Sequence, residues 1–180
     1  MNSSFRSLAF ATVLAFGLAF GLAAHAAPQP VKVKPGSIAK AVKSGFFAGG
    51  EAASEFSLIE ATAKRSGDSE TLVLHYGDLN GQPLRGKPGF FQASLDRDGR
   101  RVVVDLSQVS RTAIDPESLR KKLAGWKLVS TIDMTMDPTD LSTNITLILK
   151  EPVELAVEAS DDKSPSQVSF TLKPVGGALK

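Results

Sequence analysis

From Glu55 onward the apolar residues of this chain recur at every second position, and no other sequence feature constrains the fold as tightly. Leu72, Leu74 and Tyr76 share one parity, as do Val102, Val104 and Leu106. Trp126, Leu128, Ile132, Met134 and Met136 alternate with Lys127, Thr131, Asp133, Thr135 and Asp137. Ile145, Leu147 and Leu149 follow, then Val153, Leu155 and Val157, then Val168, Phe170 and Leu172. Successive side chains on a strand point to opposite faces, so each run has one wet face and one buried face. Antiparallel sheets tolerate a solvated face and parallel sheets rarely do. The spacing therefore predicts an all-β fold: an antiparallel two-sheet sandwich, or an open barrel, with Trp126, Leu128, Ile132, Leu147, Leu155 and Phe170 in the core.

Turn chemistry supports this reading. Ser66-Gly67-Asp68 separates two runs, and Asp98-Gly99 separates two more, the latter with the composition of a tight hairpin turn. Ser160 to Pro165 forms a longer polar loop. One short helix is expected, capped by Asp115, with Pro116 at its first position and Gly125 at its end. Leu119 and Leu123 would form its inner face.

The first 26 residues read differently. Arg6 is the only charge before an apolar run from Leu8 to Leu22, which ends in Ala24-His25-Ala26. A basic start, an apolar stretch and a small-x-small end mark a secretory signal peptide, with cleavage before Ala27. Export to the periplasm and a mature protein without stable membrane insertion follow as expectations. The chain has no Cys, which excludes thiol chemistry and disulfides. Removing residues 1–26 takes Arg6 from the 21 basic residues and nothing from the 19 acidic ones, leaving a net charge of +1. That balance points away from nucleic acid as a partner.

The charge is uneven. Residues 27–50 hold Lys32, Lys34, Lys40 and Lys43 and no acid, and read as a basic flexible arm in which Ile38, Ala41, Val42 and Phe46 could line a short helix. Residues 51–174 form the β body, and 175–180 a tail. The loop from Gly81 to Gly89 contains Arg85 and Lys87 and runs into Phe90 and Phe91. The four arm lysines, Arg85, Lys87, Phe90 and Phe91 make up the candidate ligand-binding set, basic groups for an anionic polymer and an aromatic ring for a sugar face or peptide edge.

Catalytic chemistry finds little material. His75 is the one His after the cleavage point, and no Gly-x-Ser-x-Gly elbow presents a serine to it. One His and no Cys make a poor zinc set. Asp96-Arg97-Asp98-Gly99 starts like a calcium loop but lacks the distal Glu. No cofactor, metal or enzyme activity is expected.

Arg100-Arg101-Val102-Val103-Val104-Asp105-Leu106 resembles the strand signature of AMIN domains, the small β domains found beside cell-wall amidases and pilus secretins. Val129 to Met136, and the strand pair Asn144 to Val157 around Glu151-Pro152, look like further parts of such a domain. The resemblance covers roughly residues 54–174. It implies two packed antiparallel sheets and a non-catalytic role in holding proteins at cell-envelope polymer, often peptidoglycan, or in recruiting an envelope protein complex. With no amidase or secretin sequence in the chain, such a role calls for a partner in trans. The alternative function is assembly through an exposed sheet edge, where a partner strand docks by main-chain hydrogen bonds.

Overall fold

The structure, a computed structural model, describes residues 29–52, 56–107, 109–137, 139 and 142–176. The signal-peptide segment lies outside the described residues. Among the described residues eleven strands and one helix follow in order: β1 (Val31–Lys32), β2 (Gly45–Gly49), β3 (Phe56–Ser66), β4 (Ser69–Gly77), β5 (Phe91–Leu95), β6 (Arg101–Leu106), β7 (Val109–Thr112), α1 (Pro116–Leu123), β8 (Val129–Asp137), β9 (Ser142–Leu149), β10 (Val153–Ala159) and β11 (Gln167–Pro174). They form a six-stranded sheet, β1-β2-β5-β6-β9-β8, and a five-stranded sheet, β10-β11-β4-β3-β7.

The sheets are mixed rather than purely antiparallel. β1 runs parallel to β2, and β7 runs parallel to β3. Parallel neighbours need a long connection, and the chain supplies one each time by visiting the other sheet. Residues 33–44, between β1 and β2, run along the edge of β10, and β4 to β6 lie between β3 and β7.

The separate arm expected over 27–50 is likewise corrected over its described part. β1 and β2 belong to the six-stranded sheet, and the stretch between them is extended rather than helical. Gly36, Ala39 and Val42 donate their N–H groups to Ala159, Val157 and Leu155 carbonyls at 2.8–3.0 Å. Ile38, assigned to an apolar helix face, is 69% exposed. The physical reason is β10, whose edge offers unpaired carbonyls that a strand-like segment satisfies and an isolated helical turn does not. At Gly49 a Cβ would lie 2.9 Å from the Phe91 ring, so only glycine lets β2 lie this close.

Period two holds through the rest. Leu72, Leu74, Tyr76, Val102, Val104, Leu147, Leu155 and Phe170 are all buried in one apolar cluster fed by both sheets. Phe91 and Phe170 meet edge to face across it, 6.1 Å between centroids. Trp126 and Leu128 are buried too, although β8 starts only at Val129, and a bulge between Val129 and Thr131 resets the alternation. Met136 departs from the expected pattern: it lies at the end of an edge strand and is 49% exposed.

Helix α1 starts as expected. Asp115 accepts the Ser118 N–H at 2.9 Å, and hydrogen bonds hold its carboxyl below the usual carboxylate range. Leu119 and Leu123 are buried. Lys122 donates to the Ala61 carbonyl on β3, and Arg120 to the Ile132 carbonyl on β8, so the helix bridges the two sheets. Beside it lies a feature the pattern hid. Glu70 has the parity of Leu72 and Leu74 and is 3% exposed. Its carboxylate accepts the N–H groups of Lys127 and Leu128 at 2.5 and 2.9 Å and faces Arg65 at 3.4 Å, fixing the chain between α1 and β8.

Candidate functional site

The structure scatters the sequence-predicted site. Lys32 lies on β1, while Lys34, Lys40 and Lys43 follow the edge of β10. Lys43 stands 3.8 Å from Glu154. Arg85 donates to the Lys163 carbonyl at 2.6 Å. Lys87 is bonded to Glu51 at 2.7 Å and lies 3.5 Å from Asp162, and that pairing raises its pKa. These two cations tie the 81–89 loop to its neighbours instead of standing free for a polyanion. Phe91 is fully buried against Phe170 and has no face for a ligand, since its β5 parity is that of Ala93 and Leu95 on the core side. Phe90 is half-buried beside it.

The strand registers instead bring other residues together on the outer face of the six-stranded sheet. Reading across the strands, Lys32, Ala48, Gln92, Asp105, Asn144 and Thr135 form one row. Phe46, Ser94, Val103, Thr146 and Asp133 form the next. Between them a shallow hollow of about 410 Å³ is lined by Phe46, Gln92, Ser94, Val103, Asp105 and Asn144, with Ala93 at its floor. A second hollow, of about 510 Å³, shares Phe46 and Ser94 and extends to Asp96 and Arg97 on the β5–β6 loop. The Phe46 ring, half-buried, is the wall common to both.

Each of these side chains is placed by its strand. Phe46 faces out because Phe47, its neighbour on β2, is wholly buried. Gln92 and Ser94 alternate with buried Phe91, Ala93 and Leu95. Asp105 alternates with Val104 and Leu106, and Asn144 with Thr143 and Ile145. The β5–β6 loop is built on Asp96, whose carboxylate accepts the Arg100 N–H at 2.8 Å. That loop spans four residues between the paired Asp96 and Arg101, with Gly99 at φ 66°, and is longer than the tight turn expected there.

Within the first hollow, Asp105 accepts the Ser107 hydroxyl at 3.1 Å, and among the described residues Gln92, Ser94 and Asn144 make no side-chain hydrogen bond. The arrangement offers one aromatic ring, two amides, a hydroxyl and one carboxylate, with no cation in the lining. It can stack an apolar ring face and exchange hydrogen bonds with hydroxyl and amide groups, the few-polar-groups-on-an-apolar-floor pattern of ligand sites.

His75 sits on the outer face of the other sheet. Its Nε2 lies 3.0 Å from the Thr62 hydroxyl, and burial pulls its pKa below 6.5. Among the described residues no three His, Asp or Glu side chains gather where a metal could bind, and no helix is long and apolar enough to cross a membrane.

The sheet edges differ from one another. Residues 36–42 cover β10. On β8, Ile132, Met134 and Met136 turn their backbone groups away from β9, and the Ile132 carbonyl accepts from Arg120. Comparison of the chain with family models, with curated proteins and with solved structures finds no match.

Proposed function

We propose that this chain is an exported, non-catalytic β-sandwich module of the AMIN type, which acts in the periplasm by holding onto cell-envelope polymer, peptidoglycan above all. The observation that carries the reading is the outer face of the six-stranded sheet. Around Phe46 it has a hollow in which Gln92, Ser94 and Asn144 make no side-chain hydrogen bond among the described residues, as groups that bind something else would. The AMIN-like segment Arg100–Leu106 is β6 with the residue before it, and its Asp105 lies in that hollow.

The alternative, recruitment of an envelope protein through a sheet edge, has narrower support. The β10 edge is already occupied, and the open stretch of β8 is flanked by Asp133 and Asp137, charges of the kind that discourage strand addition. Co-sedimentation of the exported protein with purified sacculi tests the proposal. Retention in the pellet at low and moderate salt is the expected result, and a protein that stays in the supernatant at both refutes it.

A further inference from the structure

We infer that the ligand of the Phe46 hollow is the uncharged glycan strand of the wall, not its charged peptide stems and not an anionic polymer. The inference rests on the wall-binding reading above and narrows it to one chemical class. Three observations carry it.

The first is charge. The hollow is lined by Asp105 and by no cation, although the chain carries 21 Lys and Arg residues. An anionic group seated between Gln92, Asp105 and Asn144 would meet a carboxylate and no counter-charge in that hollow, Arg97 lying in the adjoining one, and its desolvation would go uncompensated. The basic residues that could have served, Arg85 and Lys87, are bound to Lys163, Glu51 and Asp162 at the 81–89 loop.

The second is chemistry. Sugar hydroxyls donate and accept, and acetamido groups do both. Gln92 and Asn144 present an amide donor and acceptor each, Ser94 a hydroxyl, and Asp105 an acceptor. Stem peptides carry charges that this set matches only at Asp105. The Phe46 ring supplies the flat apolar surface on which the C–H face of a pyranose lies.

The third is spacing. Gln92, Asp105 and Asn144 stand side by side on the adjacent strands β5, β6 and β9. Neighbouring strands lie about 4.8 Å apart, close to the length of one pyranose unit. A glycan strand crossing the sheet at right angles to its strands would therefore meet one polar side chain per sugar. Phe46, in the next row on β2, would cover the sugar at the end.

The experiment uses the exported protein and three probes: intact sacculi, soluble β-1,4-linked N-acetylglucosamine oligomers, which share the glycan backbone and carry no charge, and free stem peptides. The oligomers should bind, free stems should not, and the affinity should vary little with salt because no charge pairing drives it. Phe46→Ala should weaken binding to the oligomers roughly tenfold, the loss of one stacking ring. Asn144→Ala should weaken it several-fold, and Lys34→Gln with Lys40→Gln should leave it unchanged. Both Phe46 and Asn144 face outward, so each variant should keep the parent's thermal unfolding. Binding to sacculi without binding to the oligomers would overturn the glycan assignment and leave wall binding standing. Absence of binding to sacculi would overturn both. Undiminished affinity in Phe46→Ala and Asn144→Ala together would overturn the placement of the site.

Discussion

The two sheets turn two outer faces to solvent, and the centres of those faces treat their polar side chains differently. On the five-stranded sheet two polar pairs bond across neighbouring strands, Thr71 to Thr171 across β4 and β11 at 3.0 Å and Thr62 to His75 across β3 and β4 at 3.0 Å, while Glu158, Gln167 and Ser169 border a small polar hollow at its β10–β11 end. Val73, between them, is only 2% exposed. On the six-stranded sheet the side chains of Gln92, Ser94 and Asn144 make no hydrogen bond among the described residues, and the half-exposed Phe46 stands beside them. Both faces come from the same period-two alternation. Hydrogen bonds satisfied within a sheet contribute to its stability, and those left open are available to a ligand. The difference teaches that exposure alone does not mark a binding face; the state of its hydrogen bonds does.

The comparison can be broken most severely from beneath. Phe170→Ala removes a wholly buried ring that meets Phe91 from the opposite sheet, and should cost about 3–5 kcal/mol in chemical denaturation. Both outer faces should be lost in one transition. Two separated transitions would show that the sheets do not share a core. Glu70→Ala comes next. It strands the Lys127 and Leu128 N–H groups and should destabilise by about 2–4 kcal/mol.

The faces themselves separate at smaller energies. Thr71→Ala leaves Thr171 without its partner and should cost about 1 kcal/mol. Gln92→Ala or Asn144→Ala on the other face should stay within about 0.5 kcal/mol. Equal losses for the two pairs would erase the distinction between a satisfied and an open face.

The smallest effect is a pH dependence on the five-stranded side. Burial holds the His75 pKa below its ordinary 6.5, with Glu60 raising it and Lys64 lowering it by smaller amounts. The unfolded chain then binds more protons than the folded one just below pH 6.5. The stability that neutral His75 contributes is therefore complete above that pH and is lost as the pH falls from 6.5 toward the depressed folded value. Urea denaturation across that range should show a shallower acid-side loss in His75→Gln than in the parent. Identical slopes would mean that His75 is not held in its neutral form by the fold.

Much of this fold was legible in the sequence because a half-buried strand writes its two faces into alternate residues. Leu147, Leu155 and Phe170 could be placed on the buried side from parity alone, and the Asp115-Pro116 start of α1 from capping chemistry. What could not be read was pairing. Nothing in Gly45–Gly49 alternates long enough to announce β2, and the four lysines around it gave the segment the look of a solvated linker. Its strand exists because Phe47 finds the core and Gly49 fits under Phe91. The site suffered most from this. Phe90 and Phe91 were chosen for their basic neighbours, yet one turns into the core, and those neighbours are bonded elsewhere. Phe46, Gln92, Asp105 and Asn144 lie on four different strands, and only the registers bring them into one hollow. A usable signal was present in part: Gln92, Asp105 and Asn144 all occupy the wet parity of their strands.

The account rests on the claim that the open face binds and the satisfied face does not. Amide chemical-shift mapping with soluble, uncharged N-acetylglucosamine oligomers tests it most directly. The account predicts that Phe46, Gln92, Ser94, Asp105 and Asn144 shift with increasing oligomer while Thr62, Thr71, His75 and Thr171 stay in place. Shifts confined to the second group, or spread equally over both, would contradict it.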